Sequence, residues 1–241
     1  MKILAIGNSF SEDACRYLHQ IAAADGQNVK VVNLYIGGCS LKTHYYNILE
    51  NNAAYDFQFN GESTRLKVNI KQVLMSDDWD AVTLQQVSSQ APHYETYQPY
   101  LNKLAEYVRT YLPQTSLFLH QTWAYEAGSE RLRATGFANP HAMTESLCAA
   151  YQKAAASIGA SGVIPCGQAM LAALENGLDR VHRDTFHASL GAGRYLLGLV
   201  WYGFFTARPV RNLPPIAPDE PISDEQREIL VRTSEQILKT V

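Results

Sequence analysis

The chain has 241 residues, of which 46% are hydrophobic and 18% charged. At roughly 100–200 residues per domain this suits one large domain or two small ones, and it excludes a mainly disordered chain, which would be poor in apolar side chains. Twenty basic against 23 acidic side chains leave a net charge of −3, which excludes the basic face expected of a nucleic-acid binder and a polybasic membrane patch.

The first apolar run, Ile3–Ile6, is followed at once by Gly7, so it reads as a short strand and not as the apolar core of a signal peptide, which needs about 7–15 residues. As the chain stands this predicts a cytoplasmic protein; export after removal of a leader stays open. Further short runs rich in β-branched residues lie at Val29–Leu34, Ala81–Leu84, Ser116–Leu119 and Gly162–Ile164. Between and after them, helical spacing predicts helices over Asp13–Ala24, Thr64–Leu74, Tyr97–Leu112, Ala142–Ile158, Gln168–Leu174 and Leu190–Phe205. The last of these is too short to cross a membrane, which takes roughly 18 apolar residues, and it reads as a buried helix. Apolar strands alternating with helices predict a doubly wound, flavodoxin-like three-layer α/β/α sandwich on a mainly five-stranded parallel sheet. Two stretches break the rhythm. Residues 37–63 form a long connection holding Tyr45, Tyr46, Tyr55 and Phe57, and 209–221 carry five prolines. The proline segment predicts a stiff arm. It ends at Ser223, with Gln226 three residues on, a capping-box pattern for a final amphipathic helix. Residues 1–241 are therefore expected to form one domain, with 206–241 as an arm and a helix docked on it.

Ligands of such sheets collect at the carboxyl ends of the strands, so the residues that follow each strand matter most. After the first comes Gly7-Asn8-Ser9-Phe10-Ser11, where a serine is either a presented nucleophile or only the cap of the next helix. After the second comes Gly37-Gly38, whose N–H groups can face a cleft. After the third comes the amide pair Gln85-Gln86. After the fourth come Trp123 and Tyr125, as pocket wall or as core. The four cysteines, Cys15, Cys39, Cys148 and Cys166, are scattered and read as free thiols; Cys166 has nothing beside it in sequence to activate it. Before the last long helix, Asp184 and His187 stand three apart, a spacing that lets the carboxylate orient the imidazole as a base. His182, Asp184 and His187 could also be read as metal ligands, but no second ligand cluster supports them.

Taken together, Gly7-Asn8-Ser9-Phe10, the glycine after the second strand, the amide after the third and Asp184-x-x-His187 resemble the SGNH/GDSL hydrolase superfamily. The resemblance is nearest to a bacterial branch with this sequence in place of GDSL, and it spans about residues 2–205. It implies a serine esterase: Ser9 as nucleophile, His187 as general base, and Asp184 as its partner. It further implies an oxyanion hole formed by the N–H groups of Ser9 and Gly38 (Gly37 being the fallback). The family's third donor, an asparagine, is absent here; Gln86 is the candidate replacement and Gln85 the next. Asn8, Gln85, Trp123 and Tyr125 are the expected substrate-binding residues. The implied substrate is a small-molecule or carbohydrate ester with a short acyl or acetyl group, and no metal or organic cofactor is needed. The competing reading is a non-catalytic flavodoxin-like module that holds phosphate at the first helix, or a catalytically dead relative that only binds glycan. Glu12 and Asp13 speak against phosphate there, and that reading leaves Asp184 and His187 unexplained.

Overall fold

The computed structural model describes residues 1–240. Its centre is β1 (Lys2–Gly7), whose residues Ile3 to Ile6 are fully buried. An apolar run of this kind suits a strand covered on both faces. Parallel to β1 lie β2 (Lys30–Tyr35) on one side and β5 (Ala81–Leu84) on the other, followed by β6 (Ser116–His120) and β7 (Gly162–Ile164). The five expected parallel strands are thus present. Beyond β2 the sheet gains two antiparallel strands, β3 (Tyr55–Phe59) and β4 (Glu62–Val68), giving the order β4-β3-β2-β1-β5-β6-β7.

This hairpin corrects two expectations. The long connection contains α3 (Leu41–Leu49) and β3, and the helix expected from Thr64 is a strand as far as Val68. Only α4 (Ile70–Leu74), capped by Asn69 in a capping box with Gln72, is helical there. The physical reason is the Asn60-Gly61 turn, with φ of +50° and +84°. A two-residue turn with positive φ at both positions matches the twist of paired strands, and alternation in Tyr55, Phe57 and Phe59 does the rest.

The first expected helix is split into α1 (Ser9–Cys15) and α2 (Leu18–Ala24). Both pack on α9 (Ala192–Thr206), which also contacts α8 (Cys166–Glu175) and the capped C-terminal α10 (Asp224–Leu238). On the other face lie α3, α4, α5 (Tyr100–Tyr111) and α7 (Pro140–Ile158), with a short α6 (Glu130–Ala134) in the loop before α7. Strand order reverses between β1 and β5, since the chain adds strands first on one side of β1 and then on the other. The turns after β1, β2 and β5 therefore converge on one crevice.

Candidate active site

Asn8 sets the geometry of the turn after β1. It is the N-cap of α1, and its Oδ1 accepts the Phe10 N–H at 3.0 Å. With the cap supplied by Asn8, Ser9 becomes the first helical residue and its hydroxyl is not spent on the helix end. Asn8 Oδ1 also accepts from Gln85 Nε2 at 2.7 Å, and its Nδ2 donates to the Cys39 carbonyl at 3.0 Å. One buried amide thus ties together the turns after β1, β2 and β5. An aspartate could accept the first two bonds but has no hydrogen to donate to Cys39.

His187 Nε2 lies 2.8 Å from Ser9 Oγ, and His187 Nδ1 lies 2.7 Å from Asp184 Oδ2. A carboxylate only accepts, so the proton of the neutral ring sits on Nδ1 and Nε2 faces the serine as an acceptor. Asp184 Oδ1 takes the His187 backbone N–H at 2.9 Å, so each carboxylate oxygen has a separate task. Partial burial pushes the Asp184 carboxyl up, but the His187 ring and backbone N–H donors outweigh it and hold the group below the ordinary carboxylate range. The turn is held under strain: Thr185, a β-branched residue, has φ of +74°, a region such residues rarely adopt. The Thr185 carbonyl is anchored by the Glu126 N–H at 2.8 Å and the Phe186 carbonyl by Trp123 Nε1 at 2.8 Å.

A clamp that the sequence did not reveal holds this loop to α1. Asp13, fully buried, accepts from Arg183 Nη1 at 2.9 and 3.0 Å, Arg194 Nε at 2.8 Å and the Ala188 N–H at 3.1 Å. Arg183 Nη1 also reaches the Ala188 carbonyl. Asp13 lies four residues beyond Ser9 and Ala188 immediately after His187, so this carboxylate sets the spacing between the Ser9 and His187 side chains. The only signal in the sequence was an acid on the buried face of a predicted helix.

The site opens into a cleft of about 390 Å³ whose lining includes Asn8, Ser9, Gly38, Tyr125, Arg131 and His187. Gly37 and Gly38 both face it, and Gly38 has φ of +63°. Among the described residues, neither the Ser9 nor the Gly38 N–H has a protein acceptor.

Several expected roles require correction. Gln86 is not an oxyanion donor in this geometry. It is fully buried; its Nε2 donates to Thr96 O at 2.9 Å and Thr96 Oγ1 at 3.2 Å, while its Oε1 accepts from the Leu41 and Val87 N–H groups. Both amide hydrogens are used in fixing loops. Gln85 is a brace and not a substrate contact, since it lies outside the cleft lining and its Nε2 donates to Asn8 Oδ1, whereas Asn8 both braces the turns and lines the cleft. Trp123 is fully buried and packs on Phe10 at 4.2 Å between ring centroids, so it belongs to the core. Tyr125 does line the cleft, with its hydroxyl 2.9 Å from Ser88 Oγ. His182 Nε2 is turned to the Ala124 carbonyl at 3.0 Å, and among the described residues no group of three or more His, Cys, Asp or Glu side chains is placed to hold a metal ion. Burial pushes the Cys166 thiol up, in keeping with an inert core cysteine.

The sheet order, the helical layers and the position of Ser9 at the end of β1 define the SGNH/GDSL hydrolase fold. A proposed SGNH hydrolase from Slackia heliotrinireducens superposes with a TM-score of 0.61 at 24% identity, covering 84% of this chain and 97% of that one. Axe2, an acetylxylan esterase from Geobacillus stearothermophilus, superposes with a TM-score of 0.53 at 14% identity, covering 83% and 91%. The chain belongs to the family described as domain of unknown function DUF4886, which matches residues 2–233. A crystal structure of a DUF4886 family protein from Bacteroides uniformis shares 33% identity and a TM-score of 0.91, covering 99% of this chain and 95% of that one. No curated protein matches the sequence.

Proposed function

We propose that the protein is a serine hydrolase that cleaves a short-chain carboxylic ester through an acyl-enzyme on Ser9. The observation that carries this reading is the unbroken hydrogen-bonded line Ser9 Oγ–His187 Nε2 and His187 Nδ1–Asp184 Oδ2 at the mouth of a cleft. As Ser9 Oγ forms its bond to the ester carbon, its proton passes to His187 Nε2 and the resulting imidazolium is stabilised by Asp184. The N–H groups of Ser9 and Gly38 receive the charge that develops on the carbonyl oxygen. His187 then gives the proton to the departing alcohol, and a water molecule, deprotonated by the same ring, releases the acid.

With Gln86 engaged elsewhere, the oxyanion hole has two backbone donors. Loss of a third typically costs about 10²–10³ in rate and not all activity. The modest cleft suits a short acyl group. The aromatic side chains that do reach it, Tyr35, Tyr125 and Phe186, support a carbohydrate ester in place of the Trp123 platform. The phosphate-binding alternative is weakened further, because Glu12 also lines the cleft beside Ser9.

A fluorophosphonate probe and p-nitrophenyl acetate test the proposal. The wild type is expected to be labelled and to hydrolyse the ester, with both lost in Ser9→Ala and hydrolysis lost in His187→Ala. Labelling that persists in Ser9→Ala would sink the nucleophile assignment.

A further inference from the structure

Arg131 is a charge at the cleft that the protein leaves unanswered. It lines the cleft from α6 and is exposed. Of the other charged side chains there, Arg183 is ion-paired with Asp13, whereas Glu12 keeps its charge near Ser9, its Oε1 accepting from the neutral Gln58 Nε2 at 2.5 Å. Glu130 adjoins Arg131 in sequence but makes no ion pair with it, and Glu126, five residues earlier, pairs with Arg180. Among the described residues, no carboxylate pairs with Arg131. Its guanidinium instead lies over the Phe186 ring, 3.8 Å from the centroid, and 5.7 Å from that of Tyr125. Stacking occupies the face of a guanidinium; apart from the donor near the Tyr125 hydroxyl, the rim of N–H groups is left for a ligand, and that edge grips a carboxylate in two parallel bonds.

The location says which part of a substrate this rim would meet. The Phe186 ring packs on the His187 ring with centroids 3.7 Å apart, so Arg131 stands one aromatic ring from the base. On the ester-hydrolase reading, which this inference builds on, His187 protonates the departing alcohol, and the alcohol must therefore leave on the His187 side of Ser9. We propose that Arg131 binds a carboxylate on the alcohol portion of the ester, making the substrate an acylated acidic alcohol, of which an acylated uronic-acid-type sugar would be one form.

The test is a ratio, so that general damage to the enzyme cancels. The kcat/KM for 4-acetoxybenzoate is divided by that for 4-acetoxybenzamide, its neutral counterpart. An ion pair at an exposed site is worth up to about 1 kcal/mol, so the wild-type ratio should exceed that of Arg131→Gln by about twofold to fivefold. Arg131→Lys should keep part of the preference, and added salt should shrink it. An acyl-side pair, p-nitrophenyl hemisuccinate against p-nitrophenyl butyrate, should show little dependence on Arg131. An unchanged ratio in Arg131→Gln, or a dependence confined to the acyl-side pair, would overturn the proposal. The neutral carboxamide ester separates the two levels. If the wild type hydrolyses it with no Arg131-dependent ratio, only this inference fails. If the wild type leaves every one of these esters intact, the hydrolase reading fails and this inference with it.

Discussion

Replacing Asp13 by asparagine keeps the shape of the side chain and removes its charge from under the site. The carboxylate now meets four donor contacts: two from Arg183 Nη1, one from Arg194 Nε and one from the Ala188 N–H. An amide offers one oxygen and turns an NH₂ group toward donors, so at least one guanidinium contact becomes donor against donor. Asp13 is fully buried, and the arginine side chains are only 26% and 12% exposed, so water cannot fully replace what is lost. Breaking a buried pair by removing one partner costs about 3–5 kcal/mol. For a chain of this size that corresponds to a fall of roughly 6–20 °C in Tm. The same change frees Ala188, adjacent to His187, so kcat should fall more than KM rises. Urea unfolding and p-nitrophenyl acetate kinetics, measured well below the variant's Tm, report the two effects separately. A loss under about 1 kcal/mol together with an unchanged kcat would refute the clamp.

Gln86→Ala distinguishes a loop brace from an oxyanion donor. It strips the acceptor from the Leu41 and Val87 N–H groups, and each buried donor left without a partner costs about 1–3 kcal/mol. The expected result is a clear fall in Tm with kcat/KM within about tenfold of wild type; a hundredfold fall in kcat with Tm unchanged would restore the donor role. Stability should also decline on mild acidification. Burial holds the imidazoles of His44 and His120 down to about 3, against 6.5 for the free side chain. Trp201 Nε1 donates to His120 Nδ1 at 3.1 Å, so protonation there would set two hydrogens against each other. Both rings stay neutral in the fold while the unfolded chain takes up protons below pH 6.5. Their contribution is therefore complete above that pH and is lost as pH falls toward 3, by about 1.4 kcal/mol per unit for each ring. Denaturation midpoints at pH 7 and 4.5 check this, and equal values would count against it.

The sequence by itself determined the parts of the molecule that depend on local pattern. Buried parallel strands show as continuous apolar runs, so five of the seven strands were legible. Ser9, Asp184 and His187 were legible as candidates because the resemblance to SGNH/GDSL hydrolases assigns roles to a serine after the first strand and to an Asp-x-x-His before the helix that is α9. The β3–β4 hairpin was carried locally too, in Asn60-Gly61, but helical spacing after Thr64 masked it. The tertiary structure alone decided the uses of amides, aromatics and charges. A glutamine or tryptophan at a strand end has the same sequence whether it faces a cleft or the core. Its role depends on which donors and acceptors distant segments bring to it: Thr96 for Gln86, Phe186 for Trp123, Cys39 for Asn8. The Asp13 clamp joins residues about 170–181 positions apart in sequence, which no local pattern encodes. The length first allowed one domain or two. With Ser9 on the first turn and His187 in the loop before α9, and a buried ion cluster between them, residues from both ends of the chain must fold together before the candidate site exists.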